Sequence, residues 1–206
     1  VAFDCFVGGD RDNPRLVDIV GPYKKWGGDN ADAFYQWMPV DPARTYRVTG
    51  TRGDAVYLSL TVYGGPDDGR YSDRIVGSLN DRELDVGPGG ELELWLSPTE
   101  PPPGPGPGGR RPAWIRLDPD AVCAVTRDYL EDPAAGTRAA WHVEAIDPPD
   151  TWRARDEDLA AGLRAALTWI RDQARMVPLT LGPPNTVADP YPVPTQTVGW
   201  AAGDAA

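Results

Sequence analysis

Histidine, cysteine and lysine are nearly missing from this chain, which has one histidine, two cysteines and two lysines in 206 residues. A single histidine, His142, closes every mechanism that needs two imidazoles. Two cysteines neither define nor exclude a secreted setting, and Cys123, inside the apolar run 121–125, reads as an inert buried thiol. No apolar run reaches the length of a membrane span and no signal peptide is present, so a cytoplasmic location is the expectation. The phosphate-loop, dinucleotide and nucleophile-elbow patterns G-x-x-x-x-G-K-[ST], G-x-G-x-x-G and G-x-S-x-G do not occur, which disfavours phosphate-loop enzymes and α/β-hydrolases. Residues 27–32 (Gly-Gly-Asp-Asn-Ala-Asp) imitate a calcium loop. Counted from Asp29, however, Ala31 and Ala33 fall where the next ligands belong, and Val40 replaces the bidentate glutamate. No metal and no cofactor is expected. Positive charge is also scarce: the net charge of −11 argues against nucleic acid and anionic membranes as partners.

What is present is β-structure. From Thr45 to Ile146 short alternating runs follow one another, separated by turn residues. The clearest is 55–63, with Val56, Leu58, Leu60 and Val62 facing one way and Tyr57, Ser59, Thr61 and Tyr63 the other. In 91–96, Leu92, Leu94 and Leu96 face a core while Glu91, Glu93 and Trp95 face out. Further strands are predicted at 45–49, 74–79, 83–86, 114–117, 121–129 and 139–146. Residues 101–112 form a proline–glycine tract expected to be a mobile, extended loop. One helix follows, its stripe made by Leu159, Leu163, Ala166, Leu167, Ile170 and Ala174. Asp156, Glu157 and Asp158 lie at its start and Arg171 and Arg175 near its end, as the helix dipole favours. Pro178 limits it.

These observations predict a mostly-β fold, an antiparallel, jelly-roll-like β-sandwich with one C-terminal α-helix and a Pro-rich arm. The expected division is an irregular aromatic segment over 1–44 (with room for a short helix between Asp10 and Tyr23), the sandwich over 45–150, a covering helix over 151–178, and an arm or linker over 179–206. The chain starts at Val1, not Met, and ends without punctuation. It is expected to be a fragment that packs against a C-terminal domain lying beyond it.

Candidate chemistry gathers on the last two strands. His142 and Glu144 share a strand face, about 7 Å apart, close enough for a water or small ligand to bridge them. Arg127 and Tyr129 share a face of the preceding strand, with Asp132 just beyond. If the two strands pair, Arg127 and Tyr129 come opposite His142 and Glu144, a set suited to acid–base work or to holding a polar ligand. A cross-strand salt-bridge ladder is the alternative. Trp95, facing outward near Tyr57 and Tyr63, would form a stacking platform for a ligand ring.

The stretch Gly28-Asp29-Asn30-Ala31-Asp32, then Arg44-Thr45-Tyr46-Arg47-Val48-x-Gly50 and the 55–63 strand, resembles a bacterial family known as domain of unknown function 1214. The Trp95-Leu96-Ser97 strand end, Trp114-x-x-Leu117 and Arg127-x-Tyr129 extend the resemblance across about residues 28–146. The resemblance implies a β-sandwich often found beside a companion domain, and it carries no catalytic residues. The resulting expectation is a module that binds a small polar ligand or supports a larger protein. An acid–base enzyme centred on His142, Glu144 and Arg127, and a purely structural half-domain, are the alternatives.

Overall fold

The computed structural model describes residues 1–21, 23–24, 30, 32–101, 104–146 and 156–180, with side chains as far as 175. Most of the suspected calcium loop and the arm from 181 onward lie outside these residues. Nine strands are present among them: β1 (Val17–Val20), β2 (Ala33–Pro39), β3 (Tyr46–Thr51), β4 (Ala55–Gly64), β5 (Arg74–Asn80), β6 (Glu91–Ser97), β7 (Ala113–Arg116), β8 (Ala121–Leu130) and β9 (Ala140–Ala145). One α-helix, α1 (Asp156–Thr180), follows, and a π-helix (Phe3–Val7) precedes them all.

The strands form two sheets, β1-β2-β8-β4-β5 and β7-β6-β3-β9. All pairs are antiparallel except β6 with β7. Between the sheets lies the main core, including Phe34, Met38, Val48, Leu58, Leu60, Val62, Leu94, Leu96 and Val143. The fold is therefore the expected β-sandwich. Alternation holds along β6, whose three leucines are buried. It breaks at the start of β4, where a bulge between Ala55 and Tyr57 leaves Val56 56% exposed.

Three readings of the sequence need correction. Residues 1–44 are not irregular, because they supply β1 and β2, and the suggested helix between Asp10 and Tyr23 is instead β1. The stretch 83–86 is not a strand but a turn that buries Leu84 and Asp85. The glycine–proline tract stays at the surface yet is anchored. The buried Asp85 carboxylate accepts the backbone N–H of Gly108 (2.9 Å) and of Arg110 (3.0 Å), and the Arg110 Nε–H (3.0 Å).

The five-stranded sheet carries a second, smaller core on its outer face, built from Cys5, Ile19, Trp37, Tyr63, Cys123 and Val125. The π-helix supplies Cys5 and Phe6 to it, and Phe6 packs on Trp37 with ring centroids 5.7 Å apart. Helix α1 rests on the π-helix in turn. It approaches through small residues: a Cβ on Gly162 would run into the Phe6 carbonyl oxygen, and one on Gly69 (φ +90°) into the Ala165 backbone. Of the apolar stripe read from the sequence, Ala166 is the member the helix fully buries. Gly162 and Ala166 are buried, while Leu159, Leu163, Leu167 and Ile170 remain 41–50% exposed. The helix also continues through Pro178 to Thr180.

Candidate functional site

Strands β8 and β9 do not pair. β8 sits inside the five-stranded sheet between β2 and β4, and β9 is an edge of the other sheet, beside β3. The residues 131–139 that join them cross from one sheet to the other. The expected gathering of Arg127 and Tyr129 with His142 and Glu144 therefore does not occur.

His142 is exposed and stands opposite Thr49. Glu144 is opposite Arg47, whose guanidinium lies 3.5 Å from it and donates to Glu93 at 2.6 Å. Trp95 donates its indole N–H to the same Glu93 at 2.9 Å. Glu144, Arg47, Glu93 and Trp95 thus form a polar ladder on the outer face of the four-stranded sheet, the cross-strand arrangement of opposite charges that stabilises exposed sheets modestly. Tyr57 and Tyr63 belong to the other sheet, so Trp95 has no tyrosine platform.

Arg127 and Tyr129 do lie close together. Arg127 is buried on the outer face of the five-stranded sheet, donating to Tyr63 Oη (2.6 Å) and Thr61 Oγ1 (3.2 Å), with its guanidinium 5.0 Å from the centre of the Tyr35 ring. Tyr35 and Tyr129 share a 2.7 Å hydroxyl hydrogen bond, and Tyr57 meets Tyr129 edge-on at 5.5 Å. Asp132 caps the turn after β8, accepting the N–H groups of Ala134 (2.9 Å) and Ala135 (3.1 Å).

A larger hollow among the described residues lies elsewhere, beneath α1. There a cavity of about 640 Å³ is bounded by the helix, the π-helix with residues 9–12, and the loop 66–72. Its floor is the second core: Trp37, Pro39, Val122, Cys5 and Cys123. The volume follows from the packing. The π-helix and the Gly69 loop hold the helix off the sheet at two points; at the middle of its lower face the helix offers only Ala161, Gly162 and Ala165, and Leu159 borders the gap near the helix start without filling it. At 640 Å³ the space lies within the range of small-molecule sites.

Both thiols on the floor are buried, and burial pushes them up, Cys5 to about 12 and Cys123 to about 11. They stay protonated at neutral pH and act as apolar surface, not as nucleophiles. At the rim Arg11 donates to Asp67, Arg70 pairs with Asp68 at 2.9 Å, and Asp12 is held 2.8 Å from Arg44. Asp10 accepts the backbone N–H groups of Asp12 (2.9 Å) and Asn13 (3.1 Å). Sequence reasoning missed all of these residues except Cys123. Their one visible signal was the Gly and Asp density around 8–12 and 65–69.

No family model matches the chain, and no curated protein does. Among solved structures it is similar to an uncharacterised protein from Burkholderia cenocepacia, with 28% identity and a TM-score of 0.71. That match covers 85% of this chain and 47% of the other. A weaker likeness, to the VPA0106 protein from Vibrio parahaemolyticus, has 17% identity and a TM-score of 0.40 over 59% of this chain and 32% of that one. The chain therefore spans about half the length of the B. cenocepacia protein. No helix among the described residues is long and apolar enough to cross a membrane.

Proposed function

We propose that this chain is a small-ligand-binding module of a larger bacterial protein, and that the ligand sits beneath α1. The cavity carries this reading: a ligand-sized space with an apolar floor and a charged rim, beside thiols too basic to serve as nucleophiles. The acid–base alternative has less support, because its histidine is exposed in one sheet while its arginine is buried in the other. Membership of the domain of unknown function 1214 family belongs to the same proposal and rests on the sequence motifs.

The test is a thermal-melt screen against sugars, organic acids, amines and divalent metals, run on the native chain and on Ala161→Phe. Ala161 is an exposed helix residue that lines the cavity, so the bulky ring narrows the cavity without entering the core. A ligand at a hundred times its dissociation constant adds about 2.7 kcal/mol of stability. The expected hit disappears in Ala161→Phe. A screen without hits, or hits indifferent to that change, would remove the proposal.

A second reading makes the chain one half of a two-part protein, with the other half seated on α1. Two observations favour it: the match to 47% of the B. cenocepacia chain, and the exposed row Leu159, Leu163, Leu167 and Ile170. Joining this chain to a matching second half should protect the α1 amides from hydrogen exchange. Unchanged exchange would count against it.

A further inference from the structure

The cavity beneath α1 is chemically lopsided, and we infer that its ligand is an organic cation, an alkyl- or arylamine with an apolar body. The inference rests on the cavity being a ligand site and adds the class of ligand.

Three observations on the lining converge. The first is charge, with five aspartates facing two arginines. Both arginines are already engaged, Arg11 by Asp67 and Arg70 by Asp68, and the Asp12 carboxylate is matched by Arg44. Among the described residues no cation pairs with Asp10 or Asp156, so the described lining keeps a negative excess after the ion pairs above. The helix start beside Asp156 offsets only about half a unit of that excess. Among the described lining residues an anionic ligand would find no uncommitted guanidinium, and it would meet these carboxylates. A cation is attracted, all the more by a chain of net charge −11.

The second observation is the floor. Trp37, with Phe6 packed against it, offers aromatic surface, and aromatic rings attract ammonium groups while accommodating the carbon skeleton attached to them. The third is the pair of thiols. Protonated Cys5 and Cys123 add neutral, polarisable surface and carry no charge that would demand a metal. A carboxylate rim above a neutral aromatic floor suits a group charged at one end and apolar at the other.

The experiment titrates the ¹⁵N-labelled chain at low salt with three molecules of matched size: 2-phenylethylammonium, 3-phenylpropionate and 2-phenylethanol. Backbone amides of Gly9, Ser72, Val122 and Gly162 report from the separate walls. The expected result is that the ammonium alone saturates and moves these amides. Asp10→Asn and Asp156→Asn should each weaken it about two- to fivefold, the range of a single half-exposed charge pair, and added salt should weaken it further. Unliganded melts of both variants check that the fold is intact. Equal or tighter binding of the carboxylate or the alcohol at the same amides would overturn the cation assignment and leave the ligand site standing. Ammonium binding that both variants leave unchanged would overturn it too. If none of the three moves the cavity amides, the ligand site itself falls.

Discussion

Asp128 is fully buried, faces the interior of the sandwich, and is held by one hydrogen bond, from the Ala139 N–H at 3.1 Å. Among the described residues its other oxygen has no hydrogen-bond partner, and neither do Gln36 Oε1 and Thr126 Oγ1, which belong to the same inward-facing row across β2 and β8. Burial is the main reason its pKa rises from 3.8 to about 6; the Ala139 hydrogen bond and Arg138 pull it down, and Asp18 pushes it up. The sign is therefore opposite to that of a salt-bridged carboxylate. The folded state holds this proton more tightly than the unfolded chain, so Asp128 favours folding below about pH 4. That stability is lost as pH rises towards and through 6. A shift of about two units corresponds to roughly 3 kcal/mol, all of it lost at neutral pH.

Asp128→Asn keeps an acceptor for Ala139 and removes the charge. Its amide N–H₂ replaces the orphaned oxygen at a place where two other acceptors lack donors. Allowing about 1 kcal/mol for an imperfectly placed donor, the variant should be about 2 kcal/mol more stable at pH 7.5. For a chain of this size that raises Tm by roughly 4–8 °C. Calorimetry of both proteins from pH 4.5 to 7.5 is the assay, and the difference between them is the quantity of interest. Asp4, Asp18, Asp68 and Asp120, all shifted the other way, largely cancel in it. The advantage should shrink steadily as pH falls. A destabilised variant at pH 7.5, or a difference that does not change with pH, would refute the reasoning.

Asp85→Ala removes a buried carboxylate that clamps the glycine–proline tract by three hydrogen bonds, and should cost about 2–4 kcal/mol in urea melts. A loss under 0.5 kcal/mol would mean the tract is not anchored. Gly162→Ala should gain about 1 kcal/mol from helix propensity alone, yet its Cβ meets the Phe6 carbonyl, so a net loss is expected. Measured stabilisation would show that α1 does not sit this close. Leu163→Glu combined with Leu167→Glu should leave the melt within about 1 kcal/mol, because both side chains are already exposed. A large loss of stability would mean that the stripe is covered.

How much was legible in the sequence follows from how many faces of each strand are wet. β6 has one dry face and one polar face, so Leu92, Leu94 and Leu96 announce it. β2 is dry on both faces, with Phe34 and Met38 turned to the main core and Trp37 to the second, and its Ala-Phe-Tyr-Gln-Trp-Met-Pro string has no period to detect. The helix was legible as a helix, but its orientation was not. Burial of a helix face is decided by how near the backbone can come, and Gly162 with Ala165 and Ala166 allowed a closer approach than the leucines would. The Asp85 clamp joins residues more than twenty apart in sequence, beyond the reach of local spacing. Pairing of β8 with β9 was the natural guess for neighbouring strands, and the cross-over between sheets undid it.

The same asymmetry locates the site. The outer face of the four-stranded sheet is an exposed ladder in which Arg47 already engages Glu93 and Glu144. The outer face of the other sheet carries an apolar floor that must be covered, and among the described residues its cover is the π-helical turn, residues 9–12 and the loop 66–72, with α1 propped above them. Two curved layers in contact only at small residues cannot close over a flat apolar floor, since packing to the usual interior density needs large side chains at the gap. The chain turns Leu163 and Leu167 away from the gap instead. The cavity is therefore a consequence of which face of α1 is turned down. Rotating the helix to bury Leu163 and Leu167 would fill the space under it and abolish both the exposed stripe and the candidate site.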